Sequence, residues 1–197
     1  VRPVQAHLSE LGLALCIIDC GADHAALTGE YASIPQEMCQ VADYFGKKVL
    51  RDVKEEEVLA ALPELRKKVG DRAVLRALHF YADDRRAAQE ADALEKKDKD
   101  AFLSLVKESG RSSWELLQNI TPASATVHQD MAVALAVAEK ALNGKGACRV
   151  HGGGFAGTIQ AFVPLEDVNE FKKSLESMLA PGCCHILGIR PAGGMIL

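Results

Sequence analysis

Apolar and polar residues alternate along the chain in two rhythms. The stretch LGLALCIID (11–19) is a near-continuous apolar run that closes on Asp-Cys-Gly, the pattern of a strand covered on both faces. Residues 20–35 carry two glycines and a proline and read as a long loop. From Pro35 to about Phe45, Met38, Val41, Ala42 and Phe45 recur at helical spacing, with proline suited to the first turn. VLRDV (49–53) is a connector, and KEEEVLAALPELRKKVG (54–70) reads as two short helices broken at Pro63 and ended by Gly70. Residues 71–97 predict a long helix with Val74, Leu78, Tyr81, Arg85 and Ala88 on one face, followed by another from about Lys99 to Gln118. After the loop TPASATVHQ, a helix with Val127, Met131, Leu135, Ala138 and Leu142 to one side stops at Gly144. ACRVHG and TIQAFVP alternate as strands around a run of glycines. LEDVNEFKKSLESML is an amphipathic helix with Val168, Phe171, Leu175 and Leu179 inward, CCHILGIRP is a last strand, and AGGMIL is a short tail. A strand, several helices, then strand–loop–strand–helix–strand predicts an α+β domain, a mostly antiparallel sheet covered by helices.

Composition narrows the function classes. The 197 residues are 48% hydrophobic and 25% charged, enough for a full core. The formal charge of −4, with no Lys/Arg stripe, argues against a nucleic-acid partner. The longest apolar runs are too short to cross a bilayer, so no membrane partner is expected. Six cysteines (Cys16, Cys20, Cys39, Cys148, Cys183 and Cys184) form no C-x-x-C unit, and several sit in apolar runs, so they read as reduced cytosolic thiols. The sequence opens on Val1 without a charged n-region and cleavage site, and the expectation is that it begins inside a longer protein.

The segment RVHGGGFAGTIQAFVP (149–164) raises the sharpest question, because an ordinary hairpin needs only two turn residues. Successive N–H groups in such a loop can form a nest for an anion, glycines also allow close backbone approach, and a wide bulged hairpin is the plainer reading. No Gly-Lys-Ser/Thr follows, so this is not a P-loop, and a strand rather than a helix follows it, unlike a dinucleotide fingerprint. Asp19, Asp23, His24, Glu30 and Tyr31 gather in the first loop as a polar cluster able to hydrogen-bond a polyol, or simply a solvated loop. On the long helix Asp83 and Arg86 stand at i, i+3 near His79, as a helix salt bridge would. Arg85, central in an apolar stripe, either snorkels or pairs with a carboxylate at a helix interface. EKKDKDA (95–101) reads as a solvated turn. The histidines show no metalloprotease spacing, and neither a nucleophile triad nor a metal site is legible.

RVHGGGFAG resembles the third motif of the galactokinases, in the GHMP small-molecule kinase superfamily, usually R-M-T-G-G-G-F-G-G between two strands. Val150, His151 and Ala156 are the departures here. In the same order, GEYASIPQEMCQVADYF resembles that family's S-E-Y segment and VLRDV its L-R-D-V signature. RALHFYADDRR is similar to R-A-x-H-x-x-x-E-N-x-R, with Asp83, Asp84 and Arg86 at the last polar positions. KESGRSSWELL is similar to E-S-H-x-S with Gly110 at the histidine, and RPAGG to the closing P-x-x-G. The family's opening sugar motif, its G-x-G-L-S-S-S-A phosphate loop and its catalytic aspartate have no counterpart.

The resemblance therefore implies the C-terminal domain of a galactokinase over 1–197, with the N-terminal ATP-loop domain absent. The implied fold is α+β with a ferredoxin-like βαβ core and an added helical bundle. The implied parent is a cytoplasmic enzyme that transfers phosphate from ATP to the C1 hydroxyl of galactose with Mg²⁺. By resemblance Tyr31 contacts the sugar, and Gly152, Gly153, Gly154 and Gly157 form the loop packing at the active-site cleft beside the other half. No catalytic residue and no metal ligand carries over, so the isolated chain is expected to be inactive and to hold neither ATP nor Mg²⁺ tightly. Galactose and ATP would bind with the missing domain, and self-association through the exposed domain interface is expected. The rival is a non-catalytic galactose- and ATP-sensing protein of the same fold.

Overall fold

The computed structural model describes residues 4–21 and 27–189. Four strands, β1 (Leu13–Asp19), β2 (Ala147–Val150), β3 (Thr158–Pro164) and β4 (Cys184–Leu187), form one sheet. Their order is β2-β3-β1-β4 with every neighbouring pair antiparallel; Cys16 lies opposite Ala161, and Cys148 opposite Ala161 from the other side. Two interleaved strand–helix–strand crossovers with this order make the ferredoxin-like split βαβ arrangement. Thus β1 is the buried central strand that its unbroken apolar run requires.

The period of two in the strands divides the core. On one face Cys16, Ile18, Val150, Ile159, Ala161 and Val163 meet helices α6 (Asp130–Leu142) and α7 (Val168–Met178) through Met131, Ala134, Ala138, Phe171 and Leu175. On the other, Leu13, Ala147 and Phe162 meet Phe102, Leu103 and Val106 of α5 (Lys99–Ser112), with the Phe102 and Phe162 rings edge to face at 4.9 Å. The added bundle is built from α1 (Thr28–Tyr44), α2 (Glu55–Ala60), α3 (Leu62–Val69) and α4 (Asp71–Glu95) around Val41, Val58, Leu65, Val74 and Ala77. Fully burying a residue such as Leu65 contributes about 1.5–3 kcal/mol, and the bundle meets the rest of the fold where α4 packs on α5.

Several expected boundaries move. Helix α1 begins at Thr28 rather than Pro35, and Pro35 sits inside it. An internal proline removes one helical N–H and costs about 3 kcal/mol. Here tertiary contacts of α1 with α4 outweigh it, because Glu37 is clamped by two arginines of α4. The helix expected to run to Gln118 ends at Ser112 and continues as a π-helical turn over Ser113–Leu117, closed by Gln118 with φ of 56°. Helix α6 starts at Asp130, leaving Val127 81% exposed instead of inward. Pro63 falls in the first turn of α3, where its missing N–H has no intrahelical partner to lose.

All six cysteines are free thiols. Burial pushes Cys148 and Cys20 up to about 12, and the hydrogen-bonded neighbour Cys184, with burial, drives Cys16 upward as well. Shifts in this direction favour the protonated form of Cys16, Cys20 and Cys148. Among the described residues no helix is long and apolar enough to cross a membrane, and no group of three His, Cys, Asp or Glu is arranged to hold a metal ion.

Candidate functional site

The glycine loop joins β2 to β3. His151 N–H donates to the Thr158 carbonyl at 3.1 Å, closing the ladder, and residues 152–157 bulge beyond it. Gly152, Gly154 and Gly157 have φ of 71°, 84° and 86°, and Phe155 joins them at 60°. A large aromatic residue at positive φ is an outlier that persists only where its surroundings over-determine it.

Three contacts supply that determination. The Tyr31 hydroxyl, in the first turn of α1, donates to the Gly154 carbonyl at 2.8 Å across 123 residues of sequence. The Tyr31 ring meets Phe155 edge-on, centroids 5.6 Å apart. Asn119, 2% exposed, receives the Phe155 N–H on its carbonyl at 2.6 Å and donates its own Nδ2 to the Gly153 carbonyl at 3.1 Å. Burial raises the Tyr31 phenol above its usual range, which keeps it a donor.

The glycines answer to these neighbours. A Cβ on Gly154 would stand 2.0 Å from the Asn119 carbonyl oxygen, and one on Gly153 would stand 2.8 Å from the Tyr31 ring. Gly152 meets nothing within 4 Å and is needed for its positive φ alone. Among the described residues the N–H groups of Gly152 and Gly153 have no protein acceptor, and both residues are exposed. The loop thus combines close backbone approach with the outward donors of an anion nest. A cavity of about 280 Å³ opens beside it, bounded by Phe155, Ile120, His128 and Asp130.

The loop's supports are themselves anchored. Arg76 of α4 has no exposure at all; it donates to the Leu117 carbonyl at 3.1 Å, to Ser33 Oγ at 2.8 Å and to Glu37 at 3.0 Å. One guanidinium therefore holds both the helix that carries Tyr31 and the π-helical turn that delivers Asn119. Burial draws the Arg76 pKa below its ordinary value, while Glu37 opposes that shift. Glu30 fixes the same region by accepting the Ala123 N–H at 2.9 Å.

The polar cluster of the first loop does not act as one group. Asp19 turns back onto the Gly21 N–H, Glu30 goes to Ala123 and Tyr31 to Gly154; Asp23 and His24 lie outside the described residues, as does RPAGG. Asp83 forms the expected bond with Arg86 at 2.5 Å and also accepts from Ser109 at 2.6 Å, while His79 reaches Ser112 at 2.9 Å. That network ties α4 to α5. Gly110, at the position of the family's histidine, lets α5 press on β2, since a Cβ there would stand 3.1 Å from Arg149 Cβ and 3.2 Å from the Cys148 carbonyl. Arg85 pairs with Glu55 of α2. Sequence reading missed Asn119, which nothing marks locally, and Arg76, whose signal was a charge within the R-A-x-H segment.

This is a ferredoxin-like domain whose glycine-rich hairpin is locked by a tyrosine of its added helical bundle and by an asparagine that follows the π-helical turn. No family model matches the chain. The galactokinase of Glaesserella parasuis serovar 5 is 31% identical over 162 residues, covering 82% of this chain and 40% of that protein. The galactokinase of Haemophilus influenzae is 30% identical over 167 residues with the same coverage, 82% and 40%. Among solved structures, the Lactococcus lactis galactokinase complexed with galactose superposes with a TM-score of 0.67 at 19% identity, covering 94% of this chain and 46% of that one. The chain is similar to galactokinases over 82% of its length, and the likeness supports a C-terminal segment of such a protein. It spans about two-fifths of the length of the curated relatives it matches.

Proposed function

We propose that residues 1–197 are the C-terminal domain of a galactokinase, one part of an enzyme that phosphorylates galactose at C1 with ATP and Mg²⁺. The observation that carries this reading is the Tyr31 hydroxyl seated on the Gly154 carbonyl at 2.8 Å, which brings the tyrosine and the glycine loop of the resemblance together from opposite ends of the chain. In this reading Tyr31 contacts the sugar, and the loop Gly152, Gly153, Gly154 and Gly157 forms a wall of the cleft.

The loop's chemistry fits a phosphorylated ligand. The outward N–H groups of Gly152 and Gly153 are donors for phosphate or sugar oxygens, and donors fixed in advance stabilise charge without reorganising. The residues described offer no set of carboxylates for Mg²⁺; the phosphate loop, the metal ligands and the base belong, in this reading, to the N-terminal domain of the parent. Galactose and ATP then bind between the two domains, in the cytoplasm. The isolated chain would associate with itself through surfaces such as β4, where Ile186 and Leu187 are 45% and 48% exposed.

The test is a coupled assay of ATP-dependent galactose phosphorylation by the full-length parent, its Tyr31→Phe variant and the isolated 197-residue chain. Turnover by the parent, about a tenfold or greater loss of kcat/KM in Tyr31→Phe, and none by the isolated chain are expected. A parent that binds galactose and ATP without turnover would mean a sensor instead. Turnover by the isolated chain would overturn the division of labour.

A further inference from the structure

A second site lies away from the glycine loop, where α5, the π-helical turn and α6 close over the edge of β2. It is a cavity of about 640 Å³ whose wall includes Lys107, Arg111, Trp114, Glu115, Glu139 and Arg149. That volume is in the range of small-molecule sites. None of the loop residues Gly152–Gly157, nor Tyr31, takes part in it.

Several of its charges are unpaired. Among the described residues Arg111, Glu115 and Glu139 form no ion pair. Arg149 is committed to the protein rather than to the cavity: its guanidinium reaches Ser113 Oγ at 3.4 Å, its Nε is buried, and its charge acts on Glu90 and His79 of α4. Lys107 is held at the rim by the Gly144 carbonyl at 3.3 Å. Trp114 is 46% exposed, an aromatic face kept toward solvent although it belongs to a π-helical turn, a rare conformation common at ligand sites.

The combination selects a ligand class. Guanidinium and ammonium groups bind phosphate oxygens with charge-assisted bonds. Carboxylates accept hydrogen bonds from several hydroxyls at once. An indole offers a flat apolar surface with a polar edge. A simple inorganic anion would be repelled by Glu115 and Glu139, and a neutral sugar would leave the cations unmet. We propose that this cavity binds a phosphorylated monosaccharide, with the phosphate toward Arg111 and Lys107 and the hydroxyls toward Glu115 and Glu139. The site stands on its own residues and does not rest on the sugar-kinase reading.

Trp114 is the one tryptophan of the chain, so intrinsic fluorescence reports on this wall directly. The isolated chain is titrated with galactose 1-phosphate, and in parallel with galactose, inorganic phosphate and adenosine monophosphate. A saturable emission change with a midpoint below about 1 mM is expected for galactose 1-phosphate alone. Arg111→Ala, at an exposed position that does not threaten folding, should move that midpoint at least about tenfold, and Glu139→Gln should weaken it too, with far-ultraviolet circular dichroism unchanged. No saturable change overturns the proposal. So does an equal midpoint for inorganic phosphate, which would make this an anion site only, or for adenosine monophosphate, which would make it a nucleotide site. A response insensitive to both substitutions overturns it as well, because the ligand would then sit elsewhere.

Discussion

Alanine at Gly154 and alanine at Gly152 put the same atom at two similar backbone angles, and their difference isolates the lock on the loop. Both glycines have left-handed φ, 84° and 71°, which alanine adopts at about 1–2 kcal/mol. For Gly152 nothing more is added, since no atom lies within 4 Å of the new Cβ. For Gly154 the Cβ would stand 2.0 Å from the Asn119 carbonyl oxygen and 2.6 Å from its Nδ2. Loop and Asn119 must part by more than an ångström. That breaks the Phe155 N–H bond to the Asn119 carbonyl and the Asn119 Nδ2 bond to the Gly153 carbonyl. Losing each costs about 1 kcal/mol net, and up to about 3 where a partner stays buried and unmet. The expected destabilisation is about 1–2 kcal/mol for Gly152→Ala and about 3–5 for Gly154→Ala, read as urea midpoints at constant slope. Asn119→Ala in the Gly154→Ala background should not rescue it, because the backbone oxygen remains. Variants within about 1 kcal/mol of each other, or full rescue by Asn119→Ala, would refute the close-approach reasoning.

Removing one partner of the Arg76–Glu37 pair should be severe: Glu37→Gln is expected to destabilise by about 3–5 kcal/mol in a urea melt, because the fully buried Arg76 loses its charge partner. His79 gives a pH dependence. Burial holds its pKa below the ordinary 6.5, against the pull of Asp83, so between the folded pKa and 6.5 the unfolded chain binds more protons. Stability is therefore fully present above 6.5 and lost as pH falls toward the folded pKa; His79→Gln should flatten that part of a stability–pH profile, and an unchanged slope would assign the effect to other groups.

Legibility in the sequence followed how locally each feature is determined. The central strand, the two strands around the glycines and α7 were readable because a single buried face writes its period into consecutive residues, as in Phe171 and Leu175. The glycine loop was readable as an anomaly for a related reason: four glycines in six positions violate local preference, so something outside the segment must require them. What requires Gly154 is Asn119, thirty-five residues earlier, a residue with no partner pattern of its own. The start of α1 was illegible from the other direction. TGEYASIP holds a glycine and a proline and argues against a helix locally, and only contacts made far away in sequence, Glu37 with Arg72 and Arg76, reverse that.

That reversal has a consequence for the site. Tyr31 reaches Gly154 because it stands on a helical turn, and the turn exists because Arg76 grips Ser33 and Glu37 further along the same helix. The same guanidinium grips Leu117, two residues before Asn119. Both locks on the glycine loop thus hang from one buried side chain of α4. A loop of glycines has little conformational preference of its own, so its shape is set by whatever holds it. In this chain the holder is the helical insertion rather than the sheet from which the loop springs. The bundle added to the ferredoxin-like core is therefore the part that turns a permissive hairpin into a fixed wall.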